Sequence, residues 1–235
     1  MITFSNVNLH FKDLVVMENF CEEFEENKVN CILGPSGCGK TTLLNLLSGI
    51  LSENSGHITK PERVSYVFQE EALVPQKTAR KNLELVLKGV YKDRTELTAV
   101  INKFLKISDL ENAGDLYPHE MSGGMRQRLA LIRAFAYPSD ILLMDEPFKA
   151  LDITLKASII KSFLRLYEED KRTVIFVTHD IDEALMTGDF IYVYSNKPMS
   201  LQRKFIVCEE KGPRKIYSES ITKIKNEVYK ETEKW

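Results

Sequence analysis

Gly34-Pro35-Ser36-Gly37-Cys38-Gly39-Lys40-Thr41-Thr42 is the stretch on which the reading of this chain turns. It fits G-x-x-x-x-G-K-[ST], a glycine-rich loop whose backbone can wrap closely around phosphates. In that pattern Gly34, Pro35, Ser36, Gly37, Cys38 and Gly39 form the cradle. Lys40 reaches the β- and γ-phosphates, the Thr41 hydroxyl suits Mg²⁺, and Thr42 completes the loop. An apolar run at 28–33 reads as a strand leading in. Residues 40–48 read as a helix leading out, ended by Gly49. Strand, loop and helix in that order are the context the motif needs.

Working outward, short β-rich runs at 64–68, 141–144, 173–177, 190–194 and 201–207 alternate with helical patterns at 154–169 and after Asp180. That alternation predicts a mainly parallel, helix-covered sheet. Residues 7–11 alternate apolar with polar, as a half-buried strand does. From about 78 to 107 the pattern is helical, with Asp93 and Glu96 spaced as a capping pair. Tyr117-Pro118 interrupts it, and a further helix runs to Tyr137 before Pro138. The block from about 75 to 137 thus reads as an inserted helical lobe. The charged tail from about 211 to 235 reads as a surface helix.

In doubly wound sheets ligands bind at the carboxyl ends of the strands. Four predicted strands deliver polar groups there. The strand at 141–144 ends in Asp145 and Glu146, and buried acids are costly unless paired or serving a cation. Asp145 suits Mg²⁺; Glu146 beside it could polarise an attacking water. Gln69 follows the run at 64–68, and His179 follows the run at 173–177. Each alone has a plainer reading, as an exposed loop residue or a helix cap. Their convergence on one edge with the phosphate loop is the specific signal.

A second feature is Met121-Ser122-Gly123-Gly124-Met125. Adjacent glycines weaken a helix, yet these open one. A helix starting Ser-Gly-Gly presents bare N–H groups, a second phosphate site some eighty residues after the first.

The ordered set resembles the ATP-binding subunits of ABC transporters, over residues 11–194 or so. Residues 34–42 resemble Walker A, Gln69 the Q-loop glutamine, and residues 121–125 the signature. Residues 142–146 resemble Walker B with its catalytic glutamate, Ala150-Leu151-Asp152 the D-loop, and His179 the switch histidine. The resemblance implies one ABC ATPase domain over 1–235. Its α/β P-loop NTPase fold has a mainly parallel RecA-like sheet, an N-terminal antiparallel β subdomain and an inserted α-helical lobe. It implies ATP and Mg²⁺, with Thr41, Asp145 and Gln69 at the metal and Lys40, Gln69, Glu146 and His179 in catalysis. Two copies would pack head to tail. Ser122, Gly123, Gly124 and Asp152 of one would then meet the nucleotide held by the other, which gives the second phosphate turn its purpose.

The implied partners are a second copy, two integral-membrane permease subunits and, indirectly, an extracytoplasmic substrate-binding protein. The subgroup resembled is the nitrate/sulfonate/taurine importers, which include carriers of thiamine precursors. Gln76, where that subgroup often has tryptophan, departs from it, as do Met121 and Met125 from the usual signature. Phe11 stands where the family often stacks a tyrosine on adenine; it also continues the Val7, Leu9 apolar face and could be core. Glu70, Glu71 and residues 73–77 could line a groove for a permease helix or be a solvated linker.

Bulk properties agree. The 235 residues carry 43% hydrophobic and 28% charged residues and a net charge of −2, ordinary for a globular protein and no sign of a nucleic-acid binder. No apolar run approaches the roughly 18–20 residues that span a bilayer. Residues 1–6 lack the features of a signal peptide. The expected location is the cytoplasmic face of the cell membrane. Cys21, Cys31, Cys38 and Cys208 have no metal spacing and read as reduced thiols. A soluble ABC-type ATPase in cofactor assembly is the alternative. A small-molecule P-loop kinase would leave the signature and the switch histidine without a job.

Overall fold

The computed structural model describes residues 1–149, 151–211, 214–233 and 235. Nine strands and seven α-helices are described, in the order β1 (Ile2–Phe11), β2 (Leu14–Phe24), β3 (Val29–Leu33), α1 (Lys40–Ser48), β4 (Ser55–Thr59), β5 (Val64–Val67), α2 (Ala79–Leu87), α3 (Arg94–Ile107), α4 (Gly123–Ala136), β6 (Ile141–Asp145), α5 (Ile153–Glu169), β7 (Thr173–Val177), α6 (Ile181–Thr187), β8 (Phe190–Tyr194), β9 (Leu201–Ile206) and α7 (Glu219–Thr232). They form two sheets. One is three-stranded in the order β2-β1-β4, antiparallel; the other is six-stranded in the order β5-β6-β7-β3-β8-β9. The first five strands of the larger sheet run parallel and β9 pairs antiparallel with β8.

The central strands are buried on both faces, as parallel sheets require. Along β6, Ile141 and Leu143 join a core with α1 and the small sheet, whereas Leu142 and Met144 join one with the helices. The same split separates Ile175 and Val177 from Val174 and Phe176 on β7. This is the period-two alternation of a strand, expressed between two apolar layers instead of between core and water.

The consequence for function lies in the strand order. The strands β5, β6, β7 and β3 are consecutive neighbours. The residues following each one therefore meet along one edge.

Several expectations need correction. The helical stretch from 78 to 107 is two helices, because Gly89 and the following turn separate α2 from α3. Asp93 starts the second, its carboxylate accepting from Thr95 and Glu96 backbone N–H groups at 2.6 and 3.2 Å. The tail becomes helical only at Glu219, capped by Ser218. The strands β2 and β4 carried no individual sequence signal. Glu22, Glu23 and Asn19 dilute the first, and Gly56 and His57 the second. Gly56 has φ +97°, and a Cβ there would meet Asn6 and Val7 backbone atoms at 2.4–2.7 Å, so β4 approaches β1 only as glycine. Ala150, first residue of the D-loop match, lies outside the described residues.

Candidate functional site

The phosphate loop runs from the end of β3 to the start of α1. Gly37 and Gly39 have positive φ, +78° and +125°, which an L side chain resists. A Cβ on Gly39 would also meet Val16 Cγ1 at 2.9 Å, and one on Gly34 would meet Cys38 Sγ at 2.8 Å. The loop closes through Cys38 N–H donating to the Pro35 carbonyl. Lys40 is buried, and its Nζ donates to the carbonyls of Gly34 at 2.7 Å and Pro35 at 2.9 Å. The ammonium is thus held inside the ring of the loop.

Facing it, Asp145 ends β6 and is 8% exposed. Burial raises its carboxyl above the usual range; the Thr41 hydroxyl hydrogen bond and Lys40 oppose that rise. Burial and Asp145 together push the neighbouring Tyr66 phenol up. Thr41 and Asp145 are therefore hard oxygen donors in contact, one of them a carboxylate deprived of water. That is what a Mg²⁺ ion requires, since it is bound by one or two protein oxygens plus phosphate and water. Among the described residues no group of three or more His, Cys, Asp or Glu that could hold a metal ion is present.

Glu146 follows with φ +45°, an uncommon conformation for a side-chain-bearing residue. Its N–H donates to Val177 O at 2.9 Å and its carbonyl accepts from Lys149 N–H at 3.1 Å, which pins the turn. The carboxylate is 16% exposed and its Oε2 lies 2.7 Å from Lys149 Nζ and 3.3 Å from His179 Nδ1. Burial pushes this carboxyl up, but Lys149 and His179 together outweigh it and hold it below the usual range. Glu146 is thus kept ionised beside the loop, positioned to accept a proton.

His179 is more than half exposed and is placed by its chain neighbours. Thr178 N–H donates to Ile32 O at 3.2 Å, and its hydroxyl donates to Glu183 Oε2 at 2.6 Å. Glu183 is 4% exposed and shares Lys156 Nζ with Asp180, both at 2.7 Å. Asp180 and Glu183 have the spacing of a capping pair. Asp180 does cap α6, at 2.9 and 3.2 Å, but Glu183 turns inward to Thr178 and Lys156. Lys149 and Lys156 were not singled out. Their only sequence signal was proximity to Glu146 and, for Lys156, an i+4 position behind Asp152.

Other expected residues lie where the strand order puts them or away from this edge. Gln69 sits on an exposed bend after β5. Phe11 ends β1 and is 45% exposed, next to Leu14 at 48% and Val15 at 41%. The core reading of Phe11 is thereby overturned, because β1 outruns the core and leaves an apolar hairpin tip. Ser122 caps α4, accepting from Met125 N–H at 3.3 Å. A Cβ at Gly124 would meet Leu155 Cδ1 at 2.3 Å, whereas one at Gly123 would meet only Arg126, at 3.8 Å. Gly124 therefore lets α4 lie against α5, and Gly123 leaves open surface. Asp152 caps α5 through Leu155 N–H at 3.0 Å.

The stretch 70–77 is anchored at several points, although Glu70, Ala72, Pro75 and Gln76 stay exposed. Arg126 on α4 lies 3.3 Å from Glu71, and Arg133 donates to the Glu71 and Ala72 carbonyls at 3.1 and 2.8 Å. Asn82, fully buried, holds both the N–H and the carbonyl of Val74 at 2.9 and 3.2 Å. A groove of about 1320 Å³ between α5 and the β8–β9 edge contains none of these residues, so cavity shape does not locate the site.

The ABC transporter family profile matches residues 17–149. The chain is a member of the ABC transporter family. An aliphatic sulfonates import ATP-binding protein of Bacillus cereus is 37% identical over 230 residues, 93% of this chain and 89% of the relative. A nitrate import ATP-binding protein of Synechococcus elongatus is 38% identical over 194 residues, 78% of this chain and 29% of that longer protein. A dimeric ABC transporter cassette superposes with TM-score 0.76 at 29% identity, over 89% of this chain and all of that one. The same cassette in a post-hydrolysis state with ADP and phosphate gives TM-score 0.75. The protein is an ATP-binding subunit and an ATPase with the ABC fold. Both relatives fall in the subgroup that the sequence resembled. All four cysteines are free, and among the described residues no helix is long and apolar enough to cross a membrane.

Proposed function

We propose that this chain powers an importer, binding ATP between two copies of itself and coupling hydrolysis to two permease subunits at the cytoplasmic face of the membrane. The observation that carries the reading is an asymmetry. Lys40, Thr41, Asp145, Glu146 and His179 gather on one edge, while the Ser122–Gly123 turn lies on the inserted lobe, where the neighbouring Arg126 is engaged with Glu71 and with the Met121 carbonyl. A head-to-tail dimer supplies each half with the other. The whole of 1–235 acts as one ATPase unit in this reading, with a helical lobe at 75–137 and a tail at 211–235.

Residues 34–42 would bind the phosphates through backbone N–H groups and Lys40, and Phe11 offers an exposed ring for the adenine. Thr41 and Asp145, with Gln69 from the neighbouring strand, would hold Mg²⁺. That ion would offset phosphate charge. Glu146 orients a water and takes its proton, worth about 10²–10⁴ in rate. His179 and Lys149 together fix the Glu146 carboxylate, both through its Oε2 oxygen. Ser122, Gly123, Gly124 and Asp152 of the second copy would close over the γ-phosphate, using helix N–H groups that favour an anion.

The cargo class is that of the relatives, a small anion such as a sulfonate or nitrate, or a thiamine-precursor-like molecule delivered by an extracytoplasmic binding protein. It never touches this chain. Residues 70–77, held at Glu71 and Ala72 by Arg126 and Arg133 of α4 and at Val74 by Asn82 of α2, are the segment we assign to contact with a permease. The alternative, a soluble ABC ATPase in cofactor assembly, shares every site residue and differs only in partner.

The test is affinity capture from detergent-solubilised native membranes, with Glu146→Gln protein and Mg-ATP as bait. Co-purification of a multi-span protein is expected. Repeated ATP-dependent recovery of soluble partners alone would replace the importer with the alternative. A Glu146→Gln protein that stays monomeric at saturating Mg-ATP, free and with partners, would remove the sandwich.

A further inference from the structure

The switch helix α6 has seven residues, too few to hold a shape or a place by itself, since isolated helices under about 12–15 residues are marginal. Its position is set by what grips it. At its N-terminal end Lys156 reaches in from α5. At its other end the grip comes from the tail that follows β9.

Arg214 is 5% exposed. Its guanidinium donates to the Leu185 carbonyl and, at 2.8 Å, to the Gly188 carbonyl, two groups at the C-terminal end of α6. It also donates to the Glu209 carbonyl, which ties the clasp to the segment leaving β9. A cation there satisfies carbonyls that the helix leaves open and complements its dipole. Further along the tail, Lys225 on α7 lies 2.5 Å from Asp182 in the first turn of α6. The fully buried Ile221 and Val228 seat α7 in the core that includes Ile181, Ala184 and Leu185. On its far side α7 is held to β9 by Arg203 with Glu227 at 2.5 Å and Glu231 at 3.7 Å.

His179 precedes the α6 cap Asp180, and its ring lies 3.3 Å from Glu146 Oε2. That distance already lies at the edge of hydrogen-bond range, so a backbone shift of about half an ångström there decides whether the pair is made or lost. We propose that Arg214 and α7 belong to the catalytic switch, with Arg214 and Lys225 as positioning residues that fix α6 and through it His179. The consequence for turnover rests on the ATPase reading above; the consequence for the His179 environment does not.

The chain has four histidines, so imidazole NMR resonances are few, and His179→Gln assigns the relevant one. Arg214→Met, Lys225→Ala and the charge exchange Asp182→Lys with Lys225→Asp are compared with wild type. The measurements are His179 chemical shift, kcat, KM for ATP and melting temperature. Arg214→Met is expected to lower kcat about tenfold, well short of the roughly hundredfold that a 1 Å misplacement can cost. Lys225→Ala is expected to lower it about two- to threefold, in keeping with a surface ion pair. In both, KM stays within about twofold, the His179 resonance moves and those of His10, His57 and His119 do not; the charge exchange restores the resonance and the kcat lost in Lys225→Ala.

An unmoved His179 resonance in folded variants overturns the proposal, and so does a kcat loss that vanishes when wild type and variant are compared equally far below their melting temperatures. Should Arg214→Met not fold, Lys225→Ala and its exchange partner decide alone. A wild type that fails to hydrolyse ATP counts against the ATPase reading, and the resonance test still stands.

Discussion

The two glycine-rich turns, at 34–42 and 121–125, both open helices and both suit an anion, yet their surroundings are opposite. The first is enclosed. Lys40 is buried against its own loop carbonyls, and Asp145 and Glu146 arrive from the adjacent edge. The second is open, with Ser122 exposed and used as a helix cap, and free space over Gly123. One turn brings together a cation, a hydroxyl and two carboxylates; the other offers helix N–H groups and open surface. The difference fits the proposed division of the site between copies, and the predictions are ways to break that division.

The largest effect is expected from Glu146→Gln. Loss of the base should lower kcat by about 10²–10⁴, while ATP binding and ATP-dependent dimerisation persist; steady-state hydrolysis and light scattering check both. Next comes a complementation. Lys40→Ala removes the enclosed turn's cation, and Gly123→Asp sets a negative charge on the open one. Each alone should lose at least about a hundredfold in kcat, the scale for losing an electrostatic contact to a developing charge. A mixture should recover activity, because one hybrid site keeps both good halves. Absence of recovery in a mixture shown to dimerise would mean that the turns act within one copy.

A third prediction concerns the support behind His179. Lys156→Met leaves Glu183 buried without its cation and should cost about 2 kcal/mol of stability, the scale for a charged hydrogen bond. Burial raises the Asp180 carboxyl, but Lys156 and the cap N–H groups outweigh this and depress it. Its folded value lies below its unfolded one, so its stabilisation is full above the ordinary carboxylate range and fades as pH falls through the depressed value. The wild type's advantage over Lys156→Met in denaturant melts should therefore shrink on acidification. An advantage that grows towards low pH would contradict this assignment. The smallest effect belongs to Phe11→Ala, which should weaken ATP binding about three- to tenfold, the scale of an aromatic stack of about 0.5–1.5 kcal/mol; unchanged affinity would remove Phe11 from the site.

Much of the larger sheet was legible because its strands are short apolar runs ended by polar residues, and burial on both faces leaves such runs no other reading. The strands at 173–177 and 190–194 and the helix at 40–48 fall on their expected bounds. The phosphate loop, Asp145, Glu146 and His179 were legible for the same reason, each following a strand. The β2 and β4 strands were not, since a half-exposed antiparallel strand tolerates charge and glycine. Lys149, Lys156, Arg126 and Arg214 were not legible either. A lysine or arginine in sequence looks the same whether it is solvated or clasping a carboxylate far along the chain.

The sequence by itself determined the chemistry and the edge on which it gathers, because motif spacing and strand periodicity are local properties of the chain. Only the tertiary structure decided that Phe11 is surface and not core, that Glu183 turns inward, that Glu71 and Ala72 are held by α4, and that Arg214 and α7 grip α6. Those outcomes depend on long-range contacts: where β1 outruns its core, and which cation reaches which carbonyl or carboxylate. Packing sets them, and no short window of sequence contains both partners.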